Sequence, residues 1–377
     1  MRFGTRAVHA GLNPDPTYRS VIPPIHQTST YAQPAPGEFV EDYDYARSAN
    51  PTRFALEEAL GELEGGRAVT FSSGLAAEHG LLTMTCQAGA HVVLPGDLYG
   101  GTYRLVDKVL TRWGLSYDLV DQTDLGALER AIRPETKLVW VETPTNPALN
   151  VVDVAGVVAA ARAGGAQPLV AVDNTFATPV NQQPLDLGAD FVVHSTTKYL
   201  GGHSDTVGGV VVTRGDHWYE RLRFVQNAVG AVPGPFDCFL VHRGLRTLHL
   251  RMAAHAASAE AVVALLRETP GVSDVRWPGF SGMVSFRHPD ATALVSRTKL
   301  FTLAESLGGV ESLIEVPQAM THGSVEGSAA AVPADLVRLS CGVEDPRDLV
   351  EDLRGALAPR GAGGGHVAQP EAGPQSR

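Results

Sequence analysis

The chain has 377 residues, 44% of them apolar and 19% charged, with a formal net charge of −11. Such a length predicts two or three domains with well-buried cores, and the composition excludes a disordered chain. The acidic balance disfavours nucleic acid and anionic membranes as partners, and no apolar run reaches the roughly 18 residues of a membrane span. The N-terminus MRFGTRAVHAG lacks the apolar stretch of a secretory signal, and Cys86, Cys238 and Cys341 make no disulfide framework. A soluble, cytoplasmic protein is expected.

Prolines at 14, 16, 23, 24, 34 and 36 predict an irregular N-terminal arm that needs other protein to pack on. A helix follows from Arg53 and ends at Gly65–Gly66; AVTF (68–71) reads as a strand, and 75–86 as a helix. HVVL (91–94), LSYDLV (115–120), KLVWVE (137–142), PLVAVD (168–173) and FVVHS (191–195) read as strands. Helices over 102–113, 125–132 and 154–163 alternate with them. That alternation predicts βαβ units and a mostly parallel sheet covered on both faces. GGVVVT (208–213) is expected as a strand near the sheet's end, followed by helices over 216–227 and 236–268. MVSF (283–286), a helix near 290–298, LVRLS (336–340) and a helix near 346–357 predict a smaller α+β unit. The tail is Gly- and Pro-rich and expected to be disordered.

Ligands of open α/β sheets bind beyond the C-terminal strand ends. Three polar features fall there. Ser72-Ser73-Gly74 joins a strand to a helix, whose N-terminus suits phosphate. Asp173 ends a buried strand, where a carboxylate needs a cation or strong donor. Lys198 follows FVVHS among hydroxyls. Each has an ordinary reading: a turn, an N-cap, a surface lysine. Together they match what pyridoxal phosphate (PLP) requires, namely a phosphate cup, a carboxylate for the ring nitrogen and a Schiff-base lysine. No G-x-G-x-x-G follows an early strand, which excludes a Rossmann dehydrogenase. His203, His242, His249 and His255 lack zinc-like spacing, so no metal is expected.

HSTTKYLGGHSD (194–205) with VDNTF (172–176) resembles the signature of the Cys/Met-metabolism family of PLP enzymes. The likeness extends through DYARSANPTR (44–53), SSGLAA (72–77), DLYGGTYR (97–104), VETPTNP (141–147), KLFTLAESLGGVESLIEVPQAMTH (299–322) and RLSCGVEDPRDLVEDL (338–353). Within the family it is closest to the cystathionine γ-lyases, with methionine γ-lyases and cystathionine γ-synthases near. The resemblance implies an α/β, fold type I architecture with a mostly parallel sheet of the seven-stranded type. Its divisions would be an arm (1–48), a large PLP-binding domain (49–249), a small C-terminal domain (250–359) and a tail (360–377).

Roles follow from the resemblance. Lys198 would carry PLP and move protons. Asp173 would pair with the ring nitrogen, and Tyr99 would stack on the ring and act as acid or base. Gly74, Leu75, Ser195 and Thr197 would hold the phosphate. Tyr45 and Arg47 would reach a neighbouring subunit's phosphate, in a homotetramer built from site-sharing dimers. Arg338, Ser312, Asn146 and Arg104 would bind the sulfur amino acid. Glu311, with Asp44, would face a distal ammonium group, which favours cystathionine over methionine. Gly101 stands where methionine γ-lyases often carry Cys. The expected reaction is γ-elimination of L-cystathionine; methionine γ-elimination and γ-replacement on an activated homoserine are the alternatives. The chain passes from WPG (277–279) through FS to GMVSF without the family's longer insertion, which predicts a trimmed, altered pocket.

Overall fold

The computed structural model describes residues 1–323 and 331–358; the tail expected from 360 lies outside them. Seven strands form the larger sheet: β1 (Arg67–Phe71), β2 (His91–Pro95), β3 (Ser116–Val120), β4 (Thr136–Glu142), β5 (Leu169–Asp173), β6 (Phe191–Ser195) and β7 (Gly209–Thr213). Their order is β1-β7-β6-β5-β4-β2-β3. Strands β2 to β6 pair in parallel, and β7 runs antiparallel to both β1 and β6.

Side chains alternate across each strand, and here both faces are apolar. Phe71, Leu94, Trp140, Val193 and Val211 enter one core. Their neighbours Val93, Val141 and Val172 enter a second, and Val192, Val210 and Val212 a third. Helix boundaries follow local chemistry. Asn50 caps Pro51–Glu64 by accepting from the Thr52 and Arg53 N–H groups, and Gly65, at φ 77°, ends that helix. Both choices satisfy backbone groups that a helix end leaves unpaired.

Three segments depart from the sequence reading. The arm begins with a short helix, Phe3–His9, which buries Ala7 against the core that contains Leu56 and Leu60. The helix expected over 102–113 is an α-turn (Gly100–Arg104), a π-turn (Leu105–Val109) and a 3₁₀-turn (Leu110–Trp113). There the Thr111 hydroxyl takes the Asp107 carbonyl at 2.5 Å and competes with the helical ladder. The long helix expected over 236–268 breaks into Pro235–Leu245 and Leu248–Glu268. At the break Arg251 donates to the carbonyls of Tyr199 (2.7 Å) and Gly244 (2.8 Å), tying both to the loop after Lys198.

A second sheet holds β8 (Ser273–Arg276), β9 (Met283–Arg287), β10 (Thr302–Leu303), β11 (Leu313–Glu315) and β12 (Leu336–Ser340), in the order β10-β11-β12-β9-β8. Only β9 and β12 were legible in the sequence; the others are two to four residues long and show no usable period. The trimmed connection after Trp277 closes as a tight turn, with the Trp277 indole N–H on the Ser281 carbonyl (3.1 Å) and Gly279 at φ 87°. The two sheets meet near Lys198. The neighbouring Tyr199 is fully buried, and its hydroxyl accepts from the Gly282 N–H at 3.0 Å.

Candidate active site

The C-terminal ends of β4, β5 and β6 open into a cavity of about 270 Å³, whose wall also takes in Arg338 of β12 and Glu305, Ser306, Leu307 and Thr321 from segments flanking β11. Its walls include Gly74, Leu75, Tyr99, Asn146, Asp173, Ser195, Thr197, Lys198 and Arg338. Nine of the fourteen residues expected at the site therefore share one cavity.

One end is a cup. Ser73 caps the helix Gly74–Thr85 by accepting from the Ala76 N–H at 3.0 Å. The N–H groups of Gly74 and Leu75 lie in the first turn, where no intrahelical acceptor exists. Close packing demands glycine here. A Cβ at Gly74 would lie 2.9 Å from Ser195 Cβ, and one at Gly209 would lie 2.2 Å from the Ser73 carbonyl. Thr197 Oγ1 accepts from the Gly208 N–H at 3.1 Å, and Thr175 Oγ1 from the Ser195 N–H at 2.9 Å. Free N–H groups, two hydroxyls and a helix N-terminus together form a phosphate-sized cradle.

The cavity wall is also rich in carboxylates. Asp173 accepts from the Thr175 N–H at 3.0 Å, and burial pushes its carboxyl up despite that bond. Glu142, paired with Asp173 in register, accepts from the N–H groups of Tyr99 (2.9 Å) and Asn146 (2.7 Å). Burial, then Asp173, holds Glu142 well above the usual range. Glu142 thus anchors the backbone of two cavity residues. Burial likewise raises Tyr99, keeping it a phenol at neutral pH.

Lys198 Nζ donates to Ser306 Oγ at 2.6 Å. Burial, with Arg338 nearby, lowers its ammonium to about 8. Arg338 itself is 3% exposed. It donates to Asn146 Oδ1 (2.7 Å) and the Ser306 carbonyl (3.0 Å), and pairs with buried Glu315 (3.1 Å).

Five expected residues stand elsewhere. Ser312 is fully buried against Glu344, its hydroxyl donating at 2.9 Å and accepting from the Gly342 N–H at 2.8 Å. Glu311 accepts from Ser204 outside the cavity wall. The segment AESLGGVES carries two Glu-Ser pairs, and it is the first, Glu305-Ser306, that lines the cavity. Between them Gly308 turns at φ 77°, and Ser312 is swung toward Glu344. Glu311 and Ser312 are therefore corrected to Glu305 and Ser306 as cavity residues. Arg104 is exposed and outside the wall, though its charge reaches Tyr99. Tyr45 and Arg47 face outward beside a separate recess, the guanidinium 5.6 Å from the Tyr45 ring and donating to the Asn227 carbonyl at 3.2 Å. Asp44 accepts from the Tyr45 N–H there. Sequence reasoning also passed over Glu78, which lines the cavity.

A cradle for phosphate, a carboxylate at a strand end and a largely buried lysine of lowered pKa in one cavity fit PLP. The class so defined is that of PLP-dependent enzymes with an α/β fold. More particularly, the chain belongs to the Cys/Met metabolism PLP-dependent enzyme family, whose model matches residues 4–358, and pyridoxal phosphate is its cofactor. It is 51% identical over 374 residues to cystathionine gamma-synthase of Mycobacterium tuberculosis (94% of this chain, 96% of the relative). It is 48% identical over 376 residues to cystathionine beta-lyase of Lactococcus lactis (94% and 98%). Among solved structures, metB from Corynebacterium glutamicum superposes with a TM-score of 0.93 at 46% identity (95% and 98%). CalE6, a methionine gamma lyase from Micromonospora echinospora, gives 0.88 at 44% (95% and 99%).

Proposed function

We propose that the protein is a PLP-dependent carbon–sulfur lyase that splits the γ-carbon–sulfur bond of L-cystathionine. The overall reaction consumes water and yields cysteine, 2-oxobutanoate and ammonia. One observation carries the choice of substrate: Glu305 lines the same cavity as Lys198 and Arg338. A carboxylate there suits the distal ammonium of cystathionine. Facing the methyl group of methionine, it would be desolvated without return. A side chain at Gly101 would come within 2.3 Å of the Tyr99 ring, so glycine keeps that ring in place.

Bound PLP supplies the electron sink that makes the protons on Cα and Cβ removable. Arg338, fixed by Asn146, the Ser306 carbonyl and Glu315, takes the substrate α-carboxylate through charge-assisted hydrogen bonds. Lys198, with its lowered pKa, is the base for the Cα proton. Tyr99, still protonated, gives its proton to the departing sulfur. With PLP bound, Asp173 would pair with the ring nitrogen, and Ser195, Thr197, Gly74 and Leu75 would hold the phosphate. Tyr45 and Arg47 complete a neighbouring subunit's site.

A second reading is γ-replacement, joining cysteine to an activated homoserine. The relatives named cystathionine gamma-synthase favour it. Product analysis separates the readings. The holoenzyme is given L-cystathionine, L-methionine, or O-acylhomoserine with cysteine. Release of 2-oxobutanoate from cystathionine, weakened in KM by Glu305→Gln, is expected. Cystathionine synthesis as the dominant reaction would move the assignment to γ-replacement. Pyruvate in place of 2-oxobutanoate would show cleavage on the β side.

A further inference from the structure

The arm turn that carries Tyr45 and Arg47 is held from inside its own chain. The Tyr45 carbonyl accepts from the N–H groups of Ser48 (2.9 Å) and Ala49 (3.0 Å), which closes a single turn. A turn that stops there leaves its next carbonyls in need of donors. Arg53, in the first turn of the helix Pro51–Glu64, supplies them. Its guanidinium donates to the carbonyls of Ala46 (2.8 Å), Arg47 (3.3 Å) and Ser48 (2.9 Å). Arg53 is 1% exposed, whereas Tyr45 and Arg47 are both exposed. The backbone of the turn is thus tied inward while these two side chains stay at the surface.

The clamp is itself anchored. Arg53 Nε lies 3.8 Å from Glu57 Oε1, one turn further along the helix. That oxygen accepts from the N–H and the hydroxyl of Thr70 on β1, both at 2.9 Å. Arg223, from the helix Asp216–Val229, adds a second donor to the Ser48 carbonyl at 3.1 Å. Contacts therefore run from the large sheet through Glu57 and Arg53 to the turn. A planar guanidinium fork can span several consecutive carbonyls, whereas an ammonium is a point charge.

We propose that Arg53 is a positioning residue for a neighbouring subunit's cofactor site: by clamping the carbonyls of residues 46–48 it presets the turn from which Tyr45 and Arg47 reach that subunit's phosphate. The inference rests on the reading of Tyr45 and Arg47 as phosphate donors and is independent of the substrate. Arg53 touches neither cofactor nor substrate. Its contribution is preorganisation, which spares the arm an ordering cost when the phosphate binds.

The test compares dissociation constants of PLP and pyridoxal, which share ring and aldehyde and differ in the phosphate, on the assembled full-length protein. Arg53→Lys keeps a cation beside Glu57 and loses the fork. It should weaken PLP about tenfold, the scale of one hydrogen bond to a charged group, and leave pyridoxal unchanged. In a Tyr45→Phe, Arg47→Ala background the same substitution should cost nothing further, because the groups it positions are gone. Parent-like PLP binding by Arg53→Lys would overturn the proposal. So would an equal loss of PLP and pyridoxal, which marks general damage to the fold. In either case the Tyr45→Phe, Arg47→Ala chain locates the failure: weakened PLP binding there removes Arg53 alone, and parent-like binding removes the phosphate-donor reading too. Should Arg53→Lys fold poorly, Arg53→Met with Glu57→Gln, which leaves no unpaired charge at Glu57, decides with the same two ligands.

Discussion

Lys198 carries the most demanding chemistry of any single side chain, because its amine must be neutral to capture PLP. Desolvation disfavours the ammonium, and Arg338 adds a like charge. The folded amine therefore titrates below its ordinary value, and the reactive fraction grows as pH rises. Stopped-flow capture of PLP by the apoprotein should accelerate with pH and level off above about 8. In Arg338→Met the repelling charge is gone, so the midpoint should move to higher pH; a downward move would contradict the assignment. The same substitution leaves Glu315 buried without its cation, which costs about 3–5 kcal/mol. Thermal unfolding should show that loss, and Arg338→Met with Glu315→Gln should recover much of it.

The phosphate cradle belongs to whole elements, since no one residue makes it. It exists because β7 begins with a glycine, Gly209, that lets the start of the helix Gly74–Thr85 come close. A Cβ on Gly209 would strike backbone atoms, with the Ser73 carbonyl carbon at 2.6 Å and Gly74 Cα at 2.9 Å. Backbone cannot rotate away as a side chain can, so strand and helix must separate. Gly209→Ala should therefore weaken PLP binding at least about tenfold and lower stability by about 1–3 kcal/mol. Gly165→Ala, with nothing within 4 Å, is the control and should bind PLP normally. Equal affinity in both variants would remove the close approach from the argument.

For the whole molecule the arm matters most. One end is fastened to its own chain through Phe3–His9, while Tyr45 is 46% exposed and Arg47 lies outside its own chain's cavity. This supports the proposal that both residues serve a second subunit. Mixing makes it testable. Lys198→Ala and Arg47→Ala chains are each expected to be impaired alone. Refolded together in equal amounts as site-sharing dimers, they should regenerate about a quarter of the wild-type sites. Activity equal to the sum of the separate variants would show that Arg47 serves its own chain. No helix among the described residues is long and apolar enough to cross a membrane.

Much was legible because it is written locally. Strand and helix alternation, the helix stop at Gly65, and the strand-end residues Asp173, Ser195 and Lys198 all follow from patterns within a few residues. Local pattern cannot rank two equivalent motifs: Glu305-Ser306 and Glu311-Ser312 look alike in sequence. The turn at Gly308 and the pairing of β11 with β12 turn one toward the cavity and the other toward Glu344. Nor does local pattern reveal why Glu78 is unusual. On its helix it is one more polar residue, and only the packing of that helix against β1, β6 and β7 buries it in the cavity wall. The sequence determined the family, the cofactor and the strand-end groups, since these depend on residue type and short-range order. Tertiary structure alone decided which carboxylates face the cofactor, because burial and electrostatic reach are set by segments far apart in the chain.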